Sequence, residues 1–274
     1  MRIVSYLSNR KLLNIFIAVI YYIIVVTTHR QVGRFIAQNL DIPLGREAYN
    51  LFVLSVGIIS LLVLFFLLQK NFRNKLSSLD KKKTLGYLVY LMTLIVIAIN
   101  LIMVVNVEII HIAQYCVMAI LLFPLLRNFN IVLFYTTILG GLDEAFQHWY
   151  LFPDKSNYYD FNDVLINFLG ACLGLIILKS QGLSDIKKTS QWYKSSIFWT
   201  ILMIIGTYII GTVTGLISIM PVEDSDPAII TLIRKYEPGF WRELPPNVKF
   251  HIVRPVEFFI LIIILMCSFF KLGK

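Results

Sequence analysis

Charge is scarce in this chain: only 15% of its 274 residues are Asp, Glu, Lys or Arg, and no Lys or Arg falls inside any of its eight long apolar stretches. With 58% hydrophobic residues and a mean hydropathy of +0.75, that scarcity excludes an ordinary soluble domain and predicts a polytopic membrane protein. Cysteine is equally sparse. Cys116, Cys172 and Cys267 lie singly in three separate apolar stretches. No CxxC or Cys/His spacing accompanies them, which excludes a zinc ribbon or dithiol centre and leaves packing as their role. The charged start Met1 to Lys11 and the apolar run Leu12 to Thr28 lack a following small-x-small cleavage site, so the run reads as an uncleaved first span. Neither a phosphate-cradling glycine loop nor a Ser/His/Asp arrangement is visible, and the net charge of +9 accompanies no nucleic-acid module.

What is present is a series of apolar windows near membrane-spanning length: Leu12 to Thr28, Leu51 to Leu68, Leu85 to Val105, Ile109 to Leu126, Ile131 to Trp149, Phe161 to Leu178, Ser196 to Met220 and Val256 to Phe270. They predict an all-α transmembrane bundle of about eight spans. Placing the N-terminus in the cytoplasm puts 16 of the 25 basic residues on the inner side, so both termini are expected there. The basic segment Gln69 to Thr84 then reads as a topology anchor. Acids divide more sharply, with only Asp80 and Asp185 inside and the other 14 at or near the outer ends. His29 to Asn50 carries Val32, Phe35, Ile36 and Leu40 at helical spacing, which predicts an amphipathic interfacial helix. Six of the nine prolines crowd into Pro221 to Pro255, together with Trp241, which predicts a structured outer connector.

The acids that enter the apolar stretches are the informative ones, because ionisable groups at membrane depth survive where they face a bundle interior, a partner or water. In the fourth stretch Glu108, His111 and Tyr115 share one helix face, with Gln114 beside them. In the fifth, Gly140, Glu144, Gln147 and His148 repeat the pattern, with Asp143 adjoining. The sixth opens on Asp160 and Asp163 and continues through Asn167, Gly170 and Gly174. Because successive spans run in opposite directions, all three stripes are expected at one outer level. Glu144 sits five residues before the interfacial Trp149, about 7 Å deeper at 1.5 Å per residue. Gly170 and Gly174 form a small-xxx-small stripe for close helix contact, with Gly140 and Gly141 expected on the facing helix.

These motifs carry a resemblance. Glu108-Ile-Ile-His111-Ile-Ala-Gln-Tyr115, Glu144-Ala-Phe-Gln147, Pro153-Asp154-Lys155 and Asp163-Val-Leu-Ile-Asn167-Phe-Leu-Gly170-Ala-Cys-Leu-Gly174 together resemble the core of the VanZ-like family. The match covers about Leu85 to Leu178. Lys155 stands where the family usually has arginine, which keeps the charge but lacks the planar fork that grips an anion in two places. The resemblance implies a multi-pass protein of the bacterial cytoplasmic membrane, in a family named for low-level resistance to the glycopeptide antibiotic teicoplanin. It supplies no established reaction. It also divides the chain into an N-terminal helical pair (1–84), a four-span core (85–178) and a C-terminal pair with its outer segment (179–274).

Four readings of the polar cluster stand side by side. In the first, a non-enzymatic envelope protein binds a lipid headgroup or cell-envelope precursor at its outer face, Lys155 meeting an anion while Glu144, Gln147, Asp163 and Asn167 supply hydrogen bonds. In the second, a membrane-embedded enzyme uses Glu108, His111, Glu144 and Asp163 as metal ligands or as acid and base on a lipid-linked substrate. The third is a proton-coupled transporter, although no inverted repeat supports it. In the fourth the same groups only cross-link helices. The first reading calls for membrane lipids as partners, with no cofactor, metal or nucleic acid, and nothing in the sequence sets an oligomeric state.

Overall fold

A computed structural model describes residues 10–36, 38–39, 48, 51–52, 55, 77–103, 108–151, 158–185, 195–218, 230–231, 239–244 and 248–273. Seven long helices dominate these residues: α1 (Lys11–Ile36), α2 (Ser78–Leu101), α3 (Ile109–Leu126), α4 (Phe129–Phe146), α5 (Phe161–Ser180), α6 (Ser196–Val213) and α7 (Pro255–Phe269). Their boundaries follow local chemistry. Ser77 accepts from the Asp80 amide, Asn128 from Ile131, Asp160 from Asn162 and Ser195 from Ile197, each satisfying an otherwise unpaired amide of a first helical turn. Arg127, with φ 53°, ends α3 in the left-handed region, and Asn128 starts α4 at once. That two-residue turn forces α3 and α4 to pack side by side. Pro255 opens α7, where its missing N–H costs nothing.

Among the described residues, five helices are long and apolar enough to cross a membrane: α1 over Lys11–Thr28, α2, α3, α5 and α6. The count of eight is not reached among the described residues. α4 is 18 residues long but carries Asp143 and Glu144. α7 has 15 residues, about 22 Å at 1.5 Å each, against a hydrocarbon core of about 30 Å. Most of the expected span Leu51 to Leu68 and the first half of Gln69 to Thr84 lie outside the described residues. α1 runs unbroken past Thr28 to Ile36, so Val32, Phe35 and Ile36 continue the first helix beyond its membrane-spanning part rather than start a separate one, and Leu40 lies outside the described residues. The fold is also not purely helical. Ile217–Ser218 (β1) pairs in parallel with Ile230–Thr231 (β2), and Trp241–Leu244 (β3) forms an antiparallel ladder with Val248–His251 (β4).

α5 is the axis of the molecule: 89% of it is buried, and α2, α3, α4 and α7 all pack on it. α1 lies against α3 and is tied by polar contacts that an apolar run does not advertise. Asn14 Nδ2 donates to the Leu121 carbonyl at 3.2 Å, Tyr21 to the Gln114 carbonyl at 2.9 Å and Tyr22 to the Leu139 carbonyl of α4 at 2.9 Å. Of the cysteines, Cys116 and Cys172 are buried in the packing as expected, whereas Cys267 is exposed on α7. The glycine stripe faces a different helix from the one expected. A Cβ on Gly170 would stand 2.5 Å from the Ile112 carbonyl oxygen, and one on Gly174 would strike the Cys116 carbonyl, so the stripe seats α3. Gly140 instead makes room for Asn167, which would lie 3.0 Å from a Cβ there.

Candidate functional site

At one end of the core, α3 and α5 begin and α4 finishes. His111 is the third residue of α3, Asp163 the third of α5, and Glu144 lies two residues before the end of α4. One ligating atom from each of these three residues lies within 4.8 Å of the other two. His111 and Glu144 are buried, at 5% and 3% exposure, and the Asp163 side chain is 15% exposed. His111 Nε2 faces Asp163 Oδ2 at 3.8 Å. Its Nδ1 lies 2.9 Å from Asn167 Oδ1, one helical turn further along the Asp163 stripe. An amide oxygen only accepts, so the network assigns the proton of that bond to Nδ1.

A second set of bonds fixes the α4 carboxylates. The Tyr115 hydroxyl donates to Asp143 Oδ2 at 2.9 Å, and Gln147 Nε2 donates to Glu144 Oε1 at 2.9 Å and to Asp143 Oδ1 at 3.4 Å. Asp143 is fully buried. The acids acting on the charge of Glu144 are, in falling order, Asp163, Asp143, Asp160 and Glu108. Glu108 occupies the N-cap position of α3, one turn before His111, without a side-chain capping bond. The helix of Glu144 gives way at Gln147 to a five-residue π turn, Gln147–Leu151, which buries His148 against Trp149 and Tyr159. Such wide turns recur at functional positions in helices.

The helix-borne site residues read from the sequence thus occupy one locality at the start of α3, the end of α4 and the start of α5. Gly170 and Gly174 lie deeper and shape its floor by admitting α3. Lys155 lies outside the described residues. Three groups escaped the sequence reading. Tyr159 donates to the Gly141 carbonyl at 2.5 Å, and Tyr22 to that of Leu139, pinning the helix that carries Glu144 from two sides. Asn162 donates from Nδ2 to the carbonyls of Ile102 and His251 at 2.9 and 2.8 Å and accepts from the Val253 amide at 2.9 Å. It thereby docks the β4–α7 connection onto the start of α5, beside the site. An amide next to a helix-capping Asp160 reads as part of a cap, so nothing in its spacing marks the role.

Asp160 stands just before α5. Burial, reinforced by the neighbouring Asp163, pushes its carboxyl up to about 7, against the pull of the Asn162 and Asp163 amides and of His111. Several carboxyls are therefore confined around one imidazole, an arrangement suited to holding a cation, sharing protons or receiving a hydrogen-bonding headgroup. Comparisons with family models, curated proteins and solved structures found no match to this chain.

Proposed function

We propose that this chain is a VanZ-like integral membrane protein of the bacterial envelope, whose polar site at the outer face binds the headgroup of a lipid or lipid-linked cell-envelope precursor and so alters teicoplanin susceptibility. The observation that carries the reading is the convergence of His111, Glu144 and Asp163 from three helices to within 4.8 Å. A purely structural cross-link needs two partners in contact, whereas here three ionisable groups surround one point at the end of the bundle. The partly exposed side chain of Asp163 gives that point a way out. Gln147 holds Glu144, Asn167 holds His111 and Tyr115 holds the adjoining Asp143, which fixes the orientation of its donors and acceptors, as a site that discriminates polar ligands requires.

Glu144→Gln, Asp163→Asn and Gln147→Leu change charge or hydrogen bonding with little change in volume. Each is expected to abolish the glycopeptide phenotype or headgroup binding while the protein still inserts and stays monodisperse. Lys155→Ala should weaken function and Lys155→Arg should preserve it. Full activity in Glu144→Gln, Asp163→Asn and Lys155→Ala together would refute the site. Loss of abundance in step with loss of phenotype would mark the network as structural.

A further inference from the structure

We infer that His111, Glu144 and Asp163 form a binding site for one divalent transition-metal ion, held by His111 Nε2 and one carboxylate oxygen from each acid. The inference deepens the reading above and rests on the same site. Three points that lie within 4.8 Å of one another can all be reached from one centre at about 2.8 Å or less, and contraction by several tenths of an ångström gives the 2.0–2.2 Å bonds usual for zinc with nitrogen and oxygen. The 3.8 Å between His111 Nε2 and Asp163 Oδ2 is too long for a hydrogen bond. It is close to the about 3.4 Å that separates two ligands of one tetrahedral ion.

The surroundings are those of a metal ligand. His111 Nδ1–H donates to Asn167 Oδ1, the outer bond that fixes the tautomer of a ligating histidine and turns the Nε2 lone pair toward the ion. Gln147 holds Glu144 in the same manner. Charge agrees as well. The three ligands, a neutral imidazole and two carboxylates, carry −2, which a divalent ion offsets, and with Asp143, Asp160 and Glu108 also acting on Glu144 a cation there relieves a crowding of like charge that is costly at membrane depth.

An independent sign of a ligand comes from Asn167. It is fully buried, and among the described residues its Nδ2 has no hydrogen-bond partner, although its own oxygen engages His111. That amide lies 3.0 Å from where a Cβ of Gly140 would stand, one turn before Glu144 on α4, so an oxygen of water or substrate seated beside Glu144 would satisfy it. Three protein ligands leave a fourth position for that oxygen, and Asp163 is the least buried of the three. One imidazole with two carboxylates selects zinc or manganese over magnesium and calcium, which favour all-oxygen sites.

The test uses the full chain in detergent, stripped with EDTA, dialysed, and titrated with Zn²⁺ and Mn²⁺ by calorimetry, with elemental analysis of the product. One equivalent per chain is expected, with a rise in thermal midpoint that EDTA reverses and Mg²⁺ does not reproduce. His111→Gln, Glu144→Gln and Asp163→Asn should each lose the equivalent, Asn167→Ala should weaken it about 10–100-fold, and Tyr135→Phe, on another face of α4, should retain it. Midpoints of the metal-free variants report folding, and the EDTA-reversible shift of the unaltered protein needs no variant at all. Absence of a stoichiometric ion on the folded chain overturns the inference, as does equal stabilisation by Mg²⁺ or an ion count unchanged in all three variants. Loss of the glycopeptide phenotype in folded variants of a chain that binds no metal would leave the headgroup reading standing and remove the ion. A bound ion, lost from Glu144→Gln and Asp163→Asn without change in phenotype, would do the reverse.

Discussion

Asp160 illustrates what a single buried acid does to the stability of this protein. Its carboxyl titrates near 3.8 when unperturbed and is pushed up to about 7 in the folded chain, chiefly by burial and then by Asp163. Between those values the folded state holds a proton that the unfolded state has released. The group's contribution to stability is therefore fully present below about pH 4 and is lost as pH rises through about 7. Thermal unfolding in detergent from pH 4 to 8 should show that decline. Asp160→Asn, which keeps an oxygen for the Asn162 amide, should flatten it, and an identical slope in the variant would show that Asp160 is not its source. At this scale the sequence was informative about which residues are polar and poor about whom they meet. Spacing placed Glu144 and Gln147 on one face, but the bonds from Tyr22 and Tyr159 cross 117 and 18 residues, distances over which no local pattern operates.

Helices are legible where composition sets them and obscure where packing does. The apolar windows located α2, α3, α5 and α6 to within a few residues at most ends, because a long apolar run has few alternatives in a membrane. The helix faced by Gly170 and Gly174 could not be read that way, since a small-xxx-small stripe specifies closeness and not a partner. Contact with the backbone of Ile112 makes a sharp prediction. Gly170→Ala places a methyl 2.5 Å from a carbonyl oxygen and 2.9 Å from a Cα, neither of which can rotate away. Overpacking of this kind costs about 1–3 kcal/mol, so the thermal midpoint should fall. The same substitution at Gly206 or Gly86, where nothing lies within 4 Å, should be neutral or slightly stabilising. Equal behaviour at Gly170 and Gly206 would contradict the α3–α5 interface. The β3–β4 ladder was the least legible element, since short strands in a proline-rich connector lack the alternation that longer strands display.

For the molecule as a whole, hydropathy and the asymmetry of basic residues make separate claims. Composition alone implied helices able to cross a membrane, and five are present among the described residues. The proposed orientation rests on 16 of 25 basic residues falling on one side. Reporter fusions after Ser78 and after Pro238 should therefore be cytoplasmic and external, respectively. Finding both on one side would invert or break the arrangement and remove the external site with it. The convergence of polar stripes at one level was expected from alternating span direction, whereas the central place of α5 was not, because an apolar helix facing lipid and one facing protein have the same composition.

That last point has an evolutionary reading. α5 and α6 are nearly equally apolar, yet 89% of one is buried and only 6% of the other. Apart from Thr200, which meets Tyr135, and Gly211, which packs on Ile217, a membrane would ask of α6 only that its side chains be greasy, so Ile, Leu, Val, Phe and Met should interchange there as the lineage drifts. α5 is surrounded by four helices that register the volume of every methyl group. A family alignment should show α6 wandering freely within one class of residue while α5 stays fixed in shape, and conserved size, rather than conserved polarity, would trace the boundary of the working core.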